Sequence, residues 1–390
     1  MHTYELTKGV HAVGAIDPER TLFDQLIPLP QGTSYNSYLV KGSEKTALID
    51  TVDPSKFEIL AKNLEGIEKI DYVIAHHAEQ DHSGSIPAIL EKFPKAQVVT
   101  SAKAKDFLIK LLHIPNEKFL LIKDGETLSL GDKTLRFVFT PWVHWPETMS
   151  TYLEEDKILF TCDWFGAHIA DGGFAEDTPK LRSSAKRYYA EIMMPYKEHV
   201  RNNLEKISML DIKMIAPSHG PVYRNPDIII DQYKEWVAPE TKNLCVIAYT
   251  SMHGSTEFMA KYLETKLKER SVNALLFSLP DADIGELAIA LVDARSVLVG
   301  SPTVLAAPHP YATFGAAVIG AVIPKAKYYG IFGSHLWSGR AVEIITSLLP
   351  RANTKILPPV LIKGLPEEKD LALLDALAEA IAEKHKDKSN

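Results

Sequence analysis

The sequence predicts an α/β protein of two domains, and three observations carry that expectation. The first is the stretch His76-His77-Ala78-Glu79-Gln80-Asp81-His82, set directly behind the apolar run 71–75. The second is a change of rhythm near residue 243. Beyond it, apolar runs at 244–249, 274–278, 296–300, 328–332 and 360–362 alternate with helical patterns. The third is the hydroxyl- and glycine-rich segment Thr250-Ser251-Met252-His253-Gly254-Ser255-Thr256, between the first of those runs and a helix starting near Glu257.

Five buried runs with intervening helices, closed by a helix over about 367–384, describe a doubly wound parallel sheet. A length of 390 residues suits two domains of ordinary size. The polar, Pro-containing segment 236–243 reads as their boundary, giving domains 1–240 and 244–390. In the first domain, strand-like runs fall in two sets. The early set is 38–40, 46–50, 71–75 and 97–100, with helical patterns at 56–64, 86–92 and 104–112. The later set precedes His144, Asp163 and His219, and a polar helical stretch covers 179–210 with an interruption near Pro195. Tyr188, Tyr189, Met193 and Met194 read as core or interface filler.

The balance of residues narrows the partners. Apolar residues make up 46% of the chain, enough for a core in each domain, and the net charge is −7 without a long basic run. Nucleic acid and anionic membrane are therefore not expected partners. No apolar stretch approaches a bilayer span, and the first residues carry no apolar signal core, so a cytoplasmic protein is expected. The two cysteines, Cys162 and Cys245, sit in apolar runs and read as buried small hydrophobes. No Cys-x-x-Cys pair occurs, which leaves out a rubredoxin module, thiolate-bound zinc and an iron–sulfur cluster.

His77, Glu79, Asp81 and His82 share one loop at a strand end. Two carboxylates and two imidazoles so close together carry a large desolvation cost unless something pairs them. His144, Asp163 and His219 each follow an apolar run and precede a turn signal. A sheet brings such strand ends together on a rigid scaffold. Four imidazoles and three carboxylates with no thiolate suit a dinuclear site and move preference from zinc toward iron. His76 alternates to the opposite side of its strand and is left out. His2, His113 and His199 have no ligand neighbours and read as solvated. His168, five residues past Asp163, is a candidate for orienting a ligand or giving a proton.

The pattern resembles the metallo-β-lactamase superfamily, with Glu79 in place of the second histidine of its His-x-His-x-Asp-His loop. This version, His-x-Glu-x-Asp-His with the later His, Asp and His, resembles the flavodiiron proteins. The resemblance implies a four-layer αββα sandwich for the first domain. It also implies one iron on His77, Glu79 and His144, a second on Asp81, His82 and His219, and Asp163 bridging them.

In the second domain, the Thr250–Thr256 segment places backbone N–H groups and hydroxyls at a helix N-terminus, which suits a single phosphate. It resembles the flavodoxin loop that binds the terminal phosphate of FMN. Two further strand-end segments, Gly300-Ser301-Pro302-Thr303 and Phe332-Gly333-Ser334-His335-Leu336-Trp337-Ser338-Gly339, resemble the loops flanking the flavin ring, with Trp337 a candidate ring neighbour. The run Val304-Leu305-Ala306-Ala307-Pro308-His309 and Arg340 depart from that pattern.

The flavodiiron resemblance covers essentially the whole chain. It implies reduction of dioxygen to water, of nitric oxide to nitrous oxide, or both, with electrons relayed through FMN. It further implies an external donor (rubredoxin, coenzyme F420 or a flavin reductase) and a head-to-tail homodimer or a dimer of dimers. Two other readings stay open on the residues: a zinc-dependent hydrolase, and a flavodoxin-like electron carrier with an inert metal domain.

Overall fold

Strict alternation along four adjacent strands builds the first half of the molecule. The strands are Tyr38–Lys41, Thr46–Ile49, Tyr72–Ile74 and Gln97–Thr100. Leu39, Leu48, Val73 and Val98 point to one face and pack with Leu60, Ile86, Ile89 and Leu108 of the covering helices. Val40, Ile49, Ile74 and Val99 point to the other and meet Leu135, Phe137, Met149, Phe160 and Ala216 of a second sheet. A period of two places successive side chains on opposite faces, so a sheet covered on both sides reads as a continuous apolar run. Each such side chain, once fully buried, contributes roughly 1.5–3 kcal/mol.

The structure, a computed structural model, describes residues 3–337, 340–350 and 354–386. The first sheet has seven strands and the second five, the latter running from Thr127–Ser129 to Met214–Pro217. Helix Lys197–Ile207 is tied to the end of strand Thr134–Phe139 of the second sheet by Lys206 Nζ, which donates to the Phe139 carbonyl at 2.7 Å, and by Asn203 Nδ2, which donates to that of Pro141 at 3.1 Å. The expected αββα order is present. The polar stretch after residue 178 is helix Pro179–Tyr188, a widened turn Tyr189–Met193, a tight turn Met194–Tyr196 and then helix Lys197–Ile207. Unanticipated are the short N-terminal strands Tyr4–Thr7 and Val10–Ala12 at the sheet edge and the hairpin Leu22–Phe23/Ile27–Pro28. Two- to four-residue strands offer too few repeats for a period to be read.

Beyond Val237 a separate parallel sheet forms, in the order Asn273–Ser278, Leu244–Tyr249, Ser296–Val304, Tyr328–His335, Val360–Lys363. That is the 2-1-3-4-5 order of a flavodoxin-like sheet, whose ligands gather at the carboxyl ends where strand order reverses. Contacts within the chain divide it into two units. One is Met1–Tyr189 with Tyr196–Val237, and the other is Ala238–Asn390 with Ala190–Pro195. Among the described residues no helix is long and apolar enough to cross a membrane.

Candidate functional site

The metal pocket is assembled from four strand ends. Asp50, at φ 51° directly after Thr46–Ile49, accepts hydrogen bonds from the His76 backbone N–H (2.9 Å) and from His76 Nδ1 (2.7 Å). His76 is thus spent on Asp50 and on Thr151, whose hydroxyl lies 2.7 Å from Nε2. The next residues turn into the short helix Gln80–Ser83, which throws Glu79, Asp81 and His82 in different directions. Thr51 N–H holds the His82 carbonyl at 2.8 Å, and Ser83 Oγ holds that of Ala78 at 2.7 Å. Trp142, Cys162 and Phe165, beside His144 and Asp163, all carry positive φ (65°, 52° and 69°). Such strain costs roughly 1–3 kcal/mol per residue and is found where the surrounding structure over-determines a site. Gly220 (φ 79°) lets the chain leave His219 against the Ala167 carbonyl, where a Cβ would stand at 2.7 Å.

The side chains converge as two sets around Asp163. Ligand atoms of His77, Glu79, His144 and Asp163 lie within 4.8 Å of one another, as do those of Asp81, His82 and His219. Asp163 Oδ2 faces the first set, 3.6 Å from both His77 Nε2 and His144 Nε2. Its Oδ1 faces the second, 2.9 Å from His82 Nε2 and 3.3 Å from His219 Nε2. Glu79 Oε2 reaches His77 Nε2 at 3.0 Å and His144 Nε2 at 3.1 Å. Asp81 Oδ2 lies 3.3 Å from both His82 Nε2 and His219 Nε2.

Burial opposes charge here, and the pairings win. For His219, burial alone would lower the imidazole; the Asp163 and Asp81 carboxylates, each 3.3 Å from its Nε2, instead raise it to about 10. His77 is likewise raised against burial by hydrogen bonds to Glu147 and Glu79, and His82 by the charges of Asp163 and Asp81. Glu79 and Asp163 are held below the carboxylate range, against burial, by the imidazoles around them. His168 is pushed down by its own burial and by His219.

The pocket fits cations. Both oxygens of Asp81, Asp163 Oδ2 and His219 Nε2 are buried without a hydrogen-bond partner among the described residues. Buried polar atoms are nearly always paired, so a cluster of orphan ligand atoms marks where a cation completes the pairing. The sulfur of Cys162 also lies within 4.8 Å of ligand atoms of His82 and Asp163, but burial pushes its thiol pKa well up, so the nitrogen and oxygen donors suit a cation better.

Several groups behind the ligands escaped the sequence. Glu147 Oε1 accepts from His77 Nδ1 at 2.7 Å and from the Ala78 N–H at 3.1 Å. His219 Nδ1 donates to the Ser34 carbonyl at 2.6 Å. Each bond turns Nε2 of its ring toward the pocket. Tyr188, read as filler, donates its hydroxyl to Asp163 Oδ1 at 2.8 Å. His168 shares its Nδ1 with Thr33 Oγ1 at 2.9 Å, and its ring lies 4.9 Å from that of His219. A polar residue inside the ligand-bearing loops was the only signal for Glu147, three residues past His144. His113 and His199 are exposed, as read.

The second unit carries an open cavity of about 180 Å³ at its strand ends. Ser251, Met252, His253, Ser255, Thr256, Pro302, Thr303, Ser334, His335 and Trp337 line it, with Leu336 and Gly364 in addition. Gly254 sits at φ 88° as the N-cap of helix Ser255–Glu269, whose first amides have no side-chain cap. Ser251 Oγ accepts from the Gly254 N–H at 3.1 Å. Thr250 Oγ1, Thr256 Oγ1 and His335 Nδ1 are buried without partners among the described residues, which suits a phosphate-bearing ligand. Ser301 is turned away: its Oγ donates to the Pro302 carbonyl at 2.8 Å and accepts from the His309 N–H at 2.9 Å. Leu305 and Ala306 form a two-residue hairpin turn at positive φ, with Leu305 fully out in solvent. Ser338 and Gly339 lie outside the described residues.

Fold and pockets together define a two-part protein, a β-lactamase-like metal unit and a flavodoxin-like ligand unit. The family model described as ODP family beta lactamase matches residues 33–220. A nitric oxide reductase of Moorella thermoacetica is 35% identical over 389 residues, 97% of each chain. The solved rubredoxin oxygen:oxidoreductase of Desulfovibrio gigas superposes with a TM-score of 0.93 at 31% identity, covering 98% of each chain. The flavodiiron protein of Giardia intestinalis superposes at 0.91 with 26% identity, covering 99% of this chain and 97% of its own. The chain belongs to the flavodiiron protein family.

Proposed function

We propose that this protein reduces dioxygen to water, nitric oxide to nitrous oxide, or both, at a non-haem diiron centre supplied with electrons through FMN. One observation carries the assignment of the centre: the two oxygens of Asp163 face separate sets of buried ligand atoms. His77, Glu79 and His144 would hold one iron, Asp81, His82 and His219 the other, with Asp163 placed to serve both. A ferrous pair supplies two electrons and a fully reduced flavin two more. Dioxygen needs four electrons and four protons to become two waters; two nitric oxides need two of each to become nitrous oxide and water.

The chain's own groups supply position and order. Glu147 and the Ser34 carbonyl hold the tautomers of His77 and His219. Tyr188 holds one oxygen of Asp163, and its pKa is pushed well up by burial and by that carboxylate, so the phenol keeps its proton. In the second unit, the helix N-terminus after Gly254 would take the FMN phosphate, and Pro302, Thr303, His335 and Trp337, which line the same cavity, would flank the ring. Exposed Met252, Leu336 and Trp337 at the cavity rim support burial of that face in a head-to-tail homodimer, which light scattering can test. The external donor is a one- or two-electron carrier of the rubredoxin, coenzyme F420 or flavin reductase class.

Anaerobic stopped-flow of the reduced protein against each gas, with iron and FMN quantified in the same sample, is the deciding experiment. Two irons and one FMN per chain with rapid reoxidation by at least one gas is the expected result. Zinc in place of iron with ester hydrolysis would replace this reading with a hydrolase. Inertness of the fully loaded protein to both gases would replace it with an electron carrier.

A further inference from the structure

Behind the ligand atoms, the two halves of the metal pocket are built differently. His77 Nδ1 donates to Glu147, a fully buried carboxylate whose other oxygen, Oε2, has no partner among the described residues. Across the pocket, His219 Nδ1 donates to a neutral acceptor, the Ser34 carbonyl, and His82 Nδ1 has no partner among the described residues. Asp163 repeats the bias. Its Oδ1, toward His82 and His219, already accepts the Tyr188 hydroxyl at 2.8 Å, while its Oδ2, toward His77 and His144, accepts no hydrogen bond among the described residues. Asp50, another buried acid in this region, is taken by His76 through both oxygens.

A carboxylate behind an imidazole makes it a stronger electron donor than a carbonyl does. A hydrogen bond to a ligand oxygen draws electron density away from the metal beyond it. Anions near a metal favour its higher charge, the more so in a dry interior. Beside the shared Asp163, the His77 position has Glu79 and Glu147 and the His219 position has Asp81, while Asp50, whose charge also acts on His82, is spread over two hydrogen bonds from His76. Both differences, Glu147 behind His77 and the Tyr188 hydroxyl on Asp163 Oδ1, act in one direction.

Resting on the diiron reading above, we infer that Glu147 makes the His77–Glu79–His144 position the first of the two to be oxidised. The half-oxidised pair then holds its ferric ion there and its ferrous ion at Asp81–His82–His219. One electron leaves the diferrous pair for a one-electron mediator in this step, and no bond is made or broken. Glu147 is a positioning residue, acting through His77.

The test is a mediated redox titration of the iron- and FMN-loaded protein, with the half-oxidised state followed by electron paramagnetic resonance. Glu147→Gln keeps an oxygen for His77 Nδ1–H and removes the charge. The lower of the two iron midpoints should rise by a tenfold change in equilibrium constant or more, about 59 mV for one electron. The upper midpoint should move less, so the window of the half-oxidised state narrows. Tyr188→Phe frees Asp163 Oδ1 and should lower the upper midpoint, narrowing the same window from the other side. If Glu147→Gln raises the upper midpoint instead, or moves neither, the inference is overturned. Should that variant lose iron, Tyr188→Phe carries the test: a fall in the lower midpoint, or no shift, overturns it. A parent protein that never binds two irons would sink the diiron reading itself. Two bound irons with unmoved midpoints in the variants would sink only this assignment.

Discussion

The candidate metal pocket and the proposed flavin cavity are built to recognise charge by opposite means. The metal pocket is lined by ionisable side chains that are almost entirely buried, with a further layer behind them (Glu147, Ser34, Tyr188). The flavin cavity is lined largely by hydroxyls, apolar groups and a helix N-terminus, and it stays open, with Trp337 70% exposed. The difference follows from what each must hold. Small cations need several anionic and imidazole donors fixed in a dry space, and every such donor must itself be oriented. A phosphate needs only N–H groups and a dipole, which the backbone supplies at no desolvation cost to a side chain. One site is therefore brittle to single charge changes and the other to changes in backbone shape.

That contrast is tested most sharply by Asp163→Ala. Both sets of ligands lose their shared carboxylate, so both irons should be lost and gas turnover should fall by more than about 100-fold. That exceeds the 10–100-fold typical of a residue that only orients a ligand. Flavin absorbance should remain; loss of FMN together with iron would erase the independence of the two sites.

A pH series comes next. In protein stripped of metal, the pairing of His219 with Asp163 and Asp81 raises its pKa to about 10. Its contribution to stability is full below its ordinary value near 6.5 and fades as pH climbs through about 10. A metal must displace that proton, so affinity should rise with pH, about tenfold per unit for each proton released. Cobalt(II) titrations at pH 6.5 and 8.5, in buffers of different ionisation heat, measure both the affinity and the protons. FMN binding should change less over the same range, because its cradle is made mostly of amides and hydroxyls, with His253 and His335 the imidazoles in its lining.

Gly254→Val should do the reverse of Asp163→Ala. A branched residue at φ 88° is strained by roughly 1–2 kcal/mol and brings a side chain to the phosphate loop. FMN affinity should fall about 10–100-fold with iron content unchanged, read by flavin fluorescence and metal analysis. The smallest effect belongs to Ser251→Ala. It removes one acceptor from the Gly254 N–H, worth about 1 kcal/mol or roughly fivefold in FMN affinity. A loss of iron in either variant would break the comparison.

Legibility in the sequence tracks the same divide. His77, Glu79, Asp81 and His82 stood out because clustered polarity behind an apolar strand has few other uses. His144, Asp163 and His219 stood out because each follows an apolar run. Glu147 stayed hidden, since one acid in a loop looks like any solvated acid until it is found buried against His77. Tyr188 lay in a polar helix and looked like filler; its hydroxyl matters only because the fold brings it to Asp163. In the second unit, Ser301 sat in a loop of the right composition yet spends its hydroxyl on its own turn.

The chain's linear pattern determined the longer strands and helices, the change of architecture beyond Val237, and which donors are gathered at strand ends, because periodicity and local polarity are properties of neighbours. Three-dimensional packing decided which oxygen of Asp163 faces which imidazoles, which His nitrogen is turned inward, and that one half of the pocket has a carboxylate behind it and the other a carbonyl. Those choices depend on contacts between residues as far apart as Ser34 and His219, whose proximity no local signal encodes.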